Sequence, residues 1–289
     1  MLNAWQDSVP LVVISGNVPL NTCSQFLNDK IGADIRCYGI QEHNIVKHVE
    51  SVTKFAHMIK SVDEVIPVFV KALAIAMSGR KGPVWLDIPQ DIQVSLMDNK
   101  SNDLLIDIEE KIDQSLNEYR GSSLAIGDIS KLIKLLENSQ RPMVLLGGGA
   151  ANSKATIETV NHFVNLTNIP VVSTYAGTSI ISHNYKPYLG CIGIKGSRAA
   201  NFLLQNCDFL LVLGSRLPFG AIGYDIKSFA LNAKIYVVEI DGNEILKNQY
   251  NFGERIKHIR GDVNEVVRSL LYSNMGLASN SNWYKKCVN

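Results

Sequence analysis

GRKGPVWLDIPQDIQ, running from Gly79 to Gln93, sets a glycine turn before a short apolar strand, Pro83 to Ile88. Val84, Trp85, Leu86 and Ile88 put apolar side chains on both faces of that strand, as in a parallel sheet covered on both sides. Pro89 has no N–H to extend a ladder and stops it. Just upstream, Asp63 to Ser78 has apolar residues at 65, 66, 69, 72, 73, 76 and 77, one face of a helix. Asp63 or Ser61 is its expected cap, Pro67 falls near the first turn, and Gly79 is the expected left-handed stop. Further upstream, PLVVISG (Pro10–Gly16) reads as a buried strand and ADIRCYGI (Ala33–Ile40) as a weaker one.

Residues 96–125 are polar, charged and weakly periodic, which predicts an interdomain linker. From 126 to 272 the strand–helix alternation resumes. Helices are expected at Ile129–Asn138, Ala155–Leu166, Ser197–Gln205 and Val263–Tyr272. Strands are expected in RPMVLLGGG and at Ile169–Thr174, Asp208–Ser215, Lys234–Asp241 and Arg255–Asp262. The tail, Ser273–Asn289, reads as the start of another linker. The expected fold class is α/β, with two parallel-sheet βα domains at 1–95 and 126–272.

Composition supports two cores and narrows the partners. The 289 residues are 46% hydrophobic and 19% charged, with a net charge of +1. No basic run marks a nucleic-acid or anionic-membrane partner. The five cysteines include no CxxC pair and the six histidines no HxH or HExxH spacing, so reduced thiols and no metal site are expected. Trp5, Gln6, Asp7 and Pro10 interrupt any signal-peptide core, and no apolar run nears the roughly 20 residues of a membrane span. A cytoplasmic location is expected.

Ligands of open α/β sheets bind beyond the carboxyl ends of the strands. In the second domain those ends carry Gly147, Gly148 and Gly149; Ser173 and Thr174; Gly214, Ser215 and Arg216; Glu239 and Asp241; and Gly261 and Asp262. Such residues suit a nucleotide, because glycines admit a ligand to the backbone and a strand-end carboxylate accepts ribose hydroxyls. They equally suit chain turns, since GxGxxG spacing is missing. Arg216, Lys195 and Arg198 are each either anion ligands or surface ion-pair partners. In the first domain, Glu42 is a general base or an exposed loop carboxylate, and Lys54 an anion contact or a solvated side chain.

Taken in order, AWQDSVPLVVISGNVP, IQEHNIVKHVESVTKFAHMI, GRKGPVWLDIPQDIQ, RPMVLLGGGA, IPVVSTYAGTS, GCIGIKGSRAANFLLQNCDFLLVLGSRL, FALNAKIYVVEIDGNEILK and GDVNEV resemble the thiamine diphosphate-dependent enzymes of the acetolactate synthase type. The resemblance implies that residues 1–95 are the later part of a pyrimidine-binding domain and 126–272 a Rossmann-like central domain of the kind that holds FAD. It implies thiamine diphosphate and Mg²⁺ as cofactors and a 2-oxo acid such as pyruvate as substrate. The implied reaction is decarboxylation followed by carboligation, and the implied partner is a homo-oligomer or a chain carrying the diphosphate-binding domain. The family's catalytic glutamate would lie upstream of Met1, so no catalytic residue is assigned. Its GDG…N metal motif would follow the last linker, and no GDG occurs in this sequence, so no metal ligand is assigned.

Carried over by resemblance, the FAD or ADP contacts would be Gly147, Gly148, Gly149, Thr174, Gly214, Ser215, Arg216, Glu239, Ile240, Gly261 and Asp262, with Gln41 at the active-site entrance. The chain departs from the family at Leu217–Ala221, where an Asp-Asp-Arg run is usual, at Glu239, where aspartate is usual, and at Ile40, where an aromatic is usual. Two readings follow: part of an acetolactate synthase-like enzyme not active alone, or a non-catalytic nucleotide-binding or docking piece of a split or disrupted enzyme. A nicotinamide oxidoreductase ranks behind both, for want of GxGxxG and of a hydride-transfer acid or base.

Overall fold

Two parallel sheets organise the chain in the computed structural model, which describes residues 1–97, 110, 126–273 and 281–288. They fall in separate units, Met1–Gly121 and Ser122–Asn289. The expected linker at 96–125 lies almost wholly outside the described residues.

The first unit contains α1 (Leu2–Gln6), β1 (Val12–Asn17), α2 (Ser24–Ile31), α3 (Ile45–Val49), β2 (Phe55–Met58), α4 (Val65–Met77), β3 (Val84–Pro89) and α5 (Gln90–Gln93). The strand within Gly79–Gln93 is β3, and it lies at the centre of the order β1-β3-β2. Helix α4 covers one face, packing Ala72 and Ala76 against Val84 and Leu86. Neither Ser61 nor Asp63 caps it through a side chain; a 3₁₀ turn, Val62–Glu64, feeds it instead. Gly79 follows with φ +52°, the expected left-handed stop.

The C-terminal carbonyls of α4 are taken from a distance. Lys54 Nζ donates to Ser78 O at 2.8 Å and also to Ile75 O. A cation at a helix C-terminus is favoured by the dipole. Lys54 is thus a helix cap, neither solvated nor free to bind an external anion, and burial draws its pKa down to about 8.

The expected strand at Ala33–Ile40 does not form. Side chains take its backbone groups instead. Asn28 brackets Ile35, accepting its N–H at 2.8 Å and donating to its carbonyl at 3.1 Å. Glu42 accepts the N–H of Tyr38 at 2.7 Å. Such local bonds compete with a sheet ladder. The strand pairing with β3 on that side is β2, four residues with no clear alternation.

The second unit contains α6 (Ile126–Asn138), β4 (Pro142–Leu146), α7 (Lys154–Thr167), β5 (Val171–Ser173), β6 (Tyr188–Cys191), α8 (Arg198–Gln205), β7 (Phe209–Leu213), α9 (Phe219–Ile222), β8 (Lys234–Glu239), α10 (Gly242–Phe252), β9 (Ile256–Arg260), α11 (Val263–Tyr272) and α12 (Ser281–Val288). The strands run parallel in the order β6-β5-β4-β7-β8-β9. Strands β4 and β7 are buried throughout. Val144, Leu146, Leu211 and Leu213 face one apolar cluster with Val160 and Phe163 of α7 and Val267 and Leu270 of α11. Met143, Leu145, Leu210 and Val212 face the other, with Leu204 of α8 and Phe252 of α10. Each such side chain contributes about 1.5–3 kcal/mol by leaving water.

In this unit β6, α9, α10 and α12 were not expected. β6 contains a glycine and pairs irregularly with β5. α10 starts on Gly242, and Asp241 caps it by accepting the Asn243 N–H at 2.9 Å. α12 lies within the expected tail linker, yet Trp283 is only 7% exposed, packs into the second cluster, and donates its indole N–H to Pro142 O at 3.0 Å. No helix among the described residues is long and apolar enough to cross a membrane.

His258 sits on β9 with both ring nitrogens buried and without a hydrogen bond, and burial pulls its pKa down to about 4. The folded unit keeps this imidazole neutral, whereas the unfolded chain protonates it below about 6.5. The unfolded state therefore binds more protons between those values, and stability falls as the pH drops from about 6.5 towards 4. Thermal melts of His258→Leu are expected to show a shallower acid-side slope than wild type; an unchanged slope would sink the assignment.

Candidate functional site

β4 and β7 are neighbours, but the chain leaves them in opposite directions, to β5 and β6 on one side and to β8 and β9 on the other. The strand order thus reverses between β4 and β7, and the carboxyl ends at such a switch point are the usual ligand position of open parallel sheets.

The turns after β4, β5 and β7 meet at this point. Gly147 N–H donates to Leu213 O at 2.9 Å, Gly149 N–H to Gly214 O at 2.9 Å, and Thr174 N–H to Leu146 O at 2.8 Å. Packing alone accounts for two of the glycines. A Cβ on Gly147 would lie 2.3 Å from Gly214 O, and Gly214 has φ +62° with Ala150 N only 2.6 Å from where its Cβ would stand. Gly148 is different: it is exposed, and the nearest atom to a Cβ there is the Ala176 methyl at 3.1 Å. Close approach of a ligand to the backbone is therefore an issue at Gly148, with exposed Gly149 beside it.

Ser215 is buried and structural, its Oγ accepting the Leu217 N–H at 3.2 Å. Arg216 is half-buried, and among the described residues its guanidinium has no hydrogen bond or ion pair to the chain. Of its two sequence readings, the surface ion pair is absent there. Lys195 and Arg198 are exposed beside the Gly193–Ser197 turn.

Glu239 ends β8. Its Oε1 accepts the N–H groups of Ile240 at 2.9 Å and Asp241 at 3.1 Å, so Ile240 contributes through its backbone. Burial pushes the Glu239 carboxyl up, against the pull of these two bonds, and the nearby Glu244 and Asp241 push it further. At the next strand end Gly261 N–H donates to Glu239 O at 3.1 Å. Asp262 caps α11, accepting the Asn264 N–H at 2.8 Å.

In the first unit Gln41 is exposed on a left-handed backbone, φ +62°. Glu42 beside it is a loop staple rather than a base: Oε2 accepts the Ser24 N–H at 2.6 Å and Oε1 the Tyr38 N–H at 2.7 Å. Burial alone would raise its pKa, but the bonds from Ser24 and Tyr38 hold it below the usual value. A lowered carboxyl pKa contributes stability above the unfolded value, lost as the pH falls through the folded one. Glu42→Gln is accordingly expected to lower the melting temperature at pH 7 but not at pH 3; equal effects at both would contradict it.

Sequence reading missed a second network in this unit. Asp87, 1% exposed, accepts from Ser15 Oγ at 2.6 Å and Asn17 Nδ2 at 2.7 Å. Trp85 Nε1 donates to Ser15 Oγ at 2.8 Å, and Asn17 Nδ2 also donates to His43 O at 3.2 Å. The chain of bonds ties the ends of β1 and β3 to the loop that carries Gln41. Asp87 read only as part of a strand, because its partners lie about 70 residues away. Among the described residues no group of three or more His, Cys, Asp or Glu is placed to hold a metal ion.

Residues 129–270 match the family model for the thiamine pyrophosphate enzyme central domain. The chain is 35% identical over 249 residues to a probable acetolactate synthase large subunit from Methanococcus aeolicus, covering 85% of this chain and 38% of that protein. It is 33% identical over 269 residues to a probable acetolactate synthase large subunit from Methanocaldococcus jannaschii, covering 93% and 42%. It is also 33% identical over 251 residues to acetolactate synthase 3, chloroplastic, from Brassica napus, covering 86% and 35%. The chain thus spans 35% to 42% of the length of these curated relatives. With its parallel α/β units and a central-domain match that contains every strand of the second sheet, this chain belongs to the acetolactate synthase-like family of thiamine diphosphate-dependent enzymes.

Proposed function

We propose that this chain supplies the nucleotide-binding central domain, and part of the pyrimidine-binding domain, of an acetolactate synthase-like enzyme that decarboxylates a 2-oxo acid such as pyruvate and joins the product to an acceptor carbonyl. The observation that carries this reading is the set of strand ends at the β4/β7 switch point, where exposed Gly148, the Arg216 guanidinium, unpartnered among the described residues, and the strand-end Glu239 are presented by neighbouring strands. A dinucleotide or ADP fits that donor set. Arg216 supplies positive charge for a diphosphate, Gly148 and Gly149 supply backbone approach, and Glu239 retains Oε2 for a ribose hydroxyl, Oε1 being engaged by the backbone. Thiamine diphosphate supplies the electron sink of the reaction when bound. The sequence holds no GDG motif, and among the described residues no cluster of three or more His, Cys, Asp or Glu is placed to hold Mg²⁺.

ADP is common to FAD and to free ADP, so an ADP titration tests the site and the visible spectrum separates the two ligands. Calorimetry is expected to show saturable ADP binding, weakened about 10–100-fold in Arg216→Ala, the loss of a charge-assisted bond of about 1.5–3 kcal/mol. The chain alone with pyruvate, thiamine diphosphate and Mg²⁺ is expected not to turn over, and to do so with a chain carrying the diphosphate-binding domain or within a mixed oligomer. Turnover by the chain alone would defeat the second half of this reading, and absence of ADP binding the first. A non-catalytic nucleotide-binding role is the second reading, favoured by Leu217–Ala221, which bring no charge to the segment where the family usually has Asp-Asp-Arg.

A further inference from the structure

We infer that Lys247 is a positioning residue for the anion-binding turn, acting through Arg216 rather than on the ligand; this rests on the nucleotide reading above. The turn from Gly214 to Leu217 is not self-supporting. It contains two left-handed residues, Gly214 at φ +62° and Leu217 at φ +53°, and for leucine that conformation is unfavourable. One support is internal, the Leu217 N–H on Ser215 Oγ at 3.2 Å. The other comes from α10: Lys247 Nζ donates to the carbonyl of Arg216. This bond joins the end of β7 to the helix that follows β8, across 31 residues of sequence.

The same ammonium donates to Glu244 Oε2, one helical turn earlier. Glu244 is the more buried of the pair, its side chain 12% exposed against 39% for Lys247. The positive charge of Lys247 is therefore balanced within α10, and its donors are directed to a carbonyl and a carboxylate of the chain. Arg216 is left as the residue of this turn whose charge has no partner among the described residues. Lys247 fixes the main chain from which that guanidinium projects, and the guanidinium meets the anion. The turn and α10 thereby divide the work, one lysine charge spent on architecture and one arginine charge kept for the ligand.

A double-mutant cycle on the full chain separates this role from direct binding and from general stability. ADP and adenosine affinities are measured by calorimetry for wild type, Lys247→Met, Lys247→Arg, Arg216→Ala and the Lys247→Met/Arg216→Ala double variant, with circular dichroism melts for each. Lys247→Met is expected to weaken ADP about tenfold while leaving adenosine unchanged. Lys247→Arg, whose fork still reaches a carbonyl and a carboxylate, is expected to restore ADP affinity. In the Arg216→Ala background, Lys247→Met is expected to cost nothing further. If Lys247→Met does not fold, Lys247→Gln takes its place with the same expected losses. Unchanged ADP affinity, equal losses for ADP and adenosine, or an undiminished loss in the Arg216→Ala background would each overturn the inference while leaving the nucleotide site standing. Failure of wild type to bind ADP would overturn the site itself and the inference with it.

Discussion

Gly214→Ala is expected to cost the central unit more than about 3 kcal/mol, by the strain and overpacking that mark severe substitutions. Two effects add. At φ +62° alanine adopts a left-handed conformation that costs about 1 kcal/mol or more. Its Cβ would also stand 2.6 Å from Ala150 N and from Gly149 C, and 2.7 Å from Gly149 Cα. Those atoms are backbone and cannot swing aside, because Gly149 N–H is bonded to Gly214 O and Gly147 N–H to Leu213 O. Relief requires the turns after β4 and β7 to part, which would also displace Gly148 and Arg216 and is expected to abolish ADP binding. Gly253→Ala is the control. Gly253 has φ +59° and ψ −133° but nothing within 4 Å of its would-be Cβ, so backbone strain alone, about 1–3 kcal/mol, is expected there. Urea unfolding of both variants gives the comparison, and equal midpoints would refute the packing account.

Trp283→Ala is expected to destabilise the same unit by about 3–5 kcal/mol, the usual range for removing a large buried aromatic. Trp283 is 7% exposed in the cluster formed by Met143, Leu145, Leu210 and Val212, and its indole is bonded to Pro142 O at the start of β4. An eight-residue helix is not stable in water by itself, so α12 depends on this docking for its helicity. Hydrogen exchange across 281–288 is therefore expected to rise to near the unprotected rate in Trp283→Ala. Trp283→Phe keeps most of the apolar contact and loses the hydrogen bond, with about 1 kcal/mol expected. Retained protection in the alanine variant would show that α12 is held by something else.

The strands of the second sheet other than β6 were legible because their cause is local. A central parallel strand must be apolar on both faces, and RPMVLLGGG, DFLLVLGS and KIYVVEID are continuous apolar runs ended by glycine, serine or acid. Helix α11 was read close to its observed bounds, Val263–Tyr272, because its apolar period is a local property of the sequence. The misses are those where a remote partner or a local side-chain bond overrode the pattern. Ala33–Ile40 reads as a strand until Asn28 and Glu42 bind its backbone. The tail reads as a linker until a single tryptophan finds Pro142, 141 residues away. Lys54 reads as an anion contact or a solvated side chain until the end of α4 folds onto it.

By itself the sequence determined the α/β class, the family, and which residues end the strands of the second sheet other than β6, since apolar runs and terminating glycines and acids are properties of neighbouring residues. The tertiary structure decided what those residues do. It placed β4 beside β7 and so brought together turns 67 residues apart, at Gly147 and Gly214. It assigned Gly147 and Gly214 to packing, Asp262 to a helix cap and Glu42 to a loop staple, left Arg216 without a charge partner among the described residues, and bonded Lys247 to its carbonyl. The physical reason is that a hydrogen-bonding group is committed by whatever lies within about 3 Å of it. For these groups the deciding distances are set by which strands become neighbours.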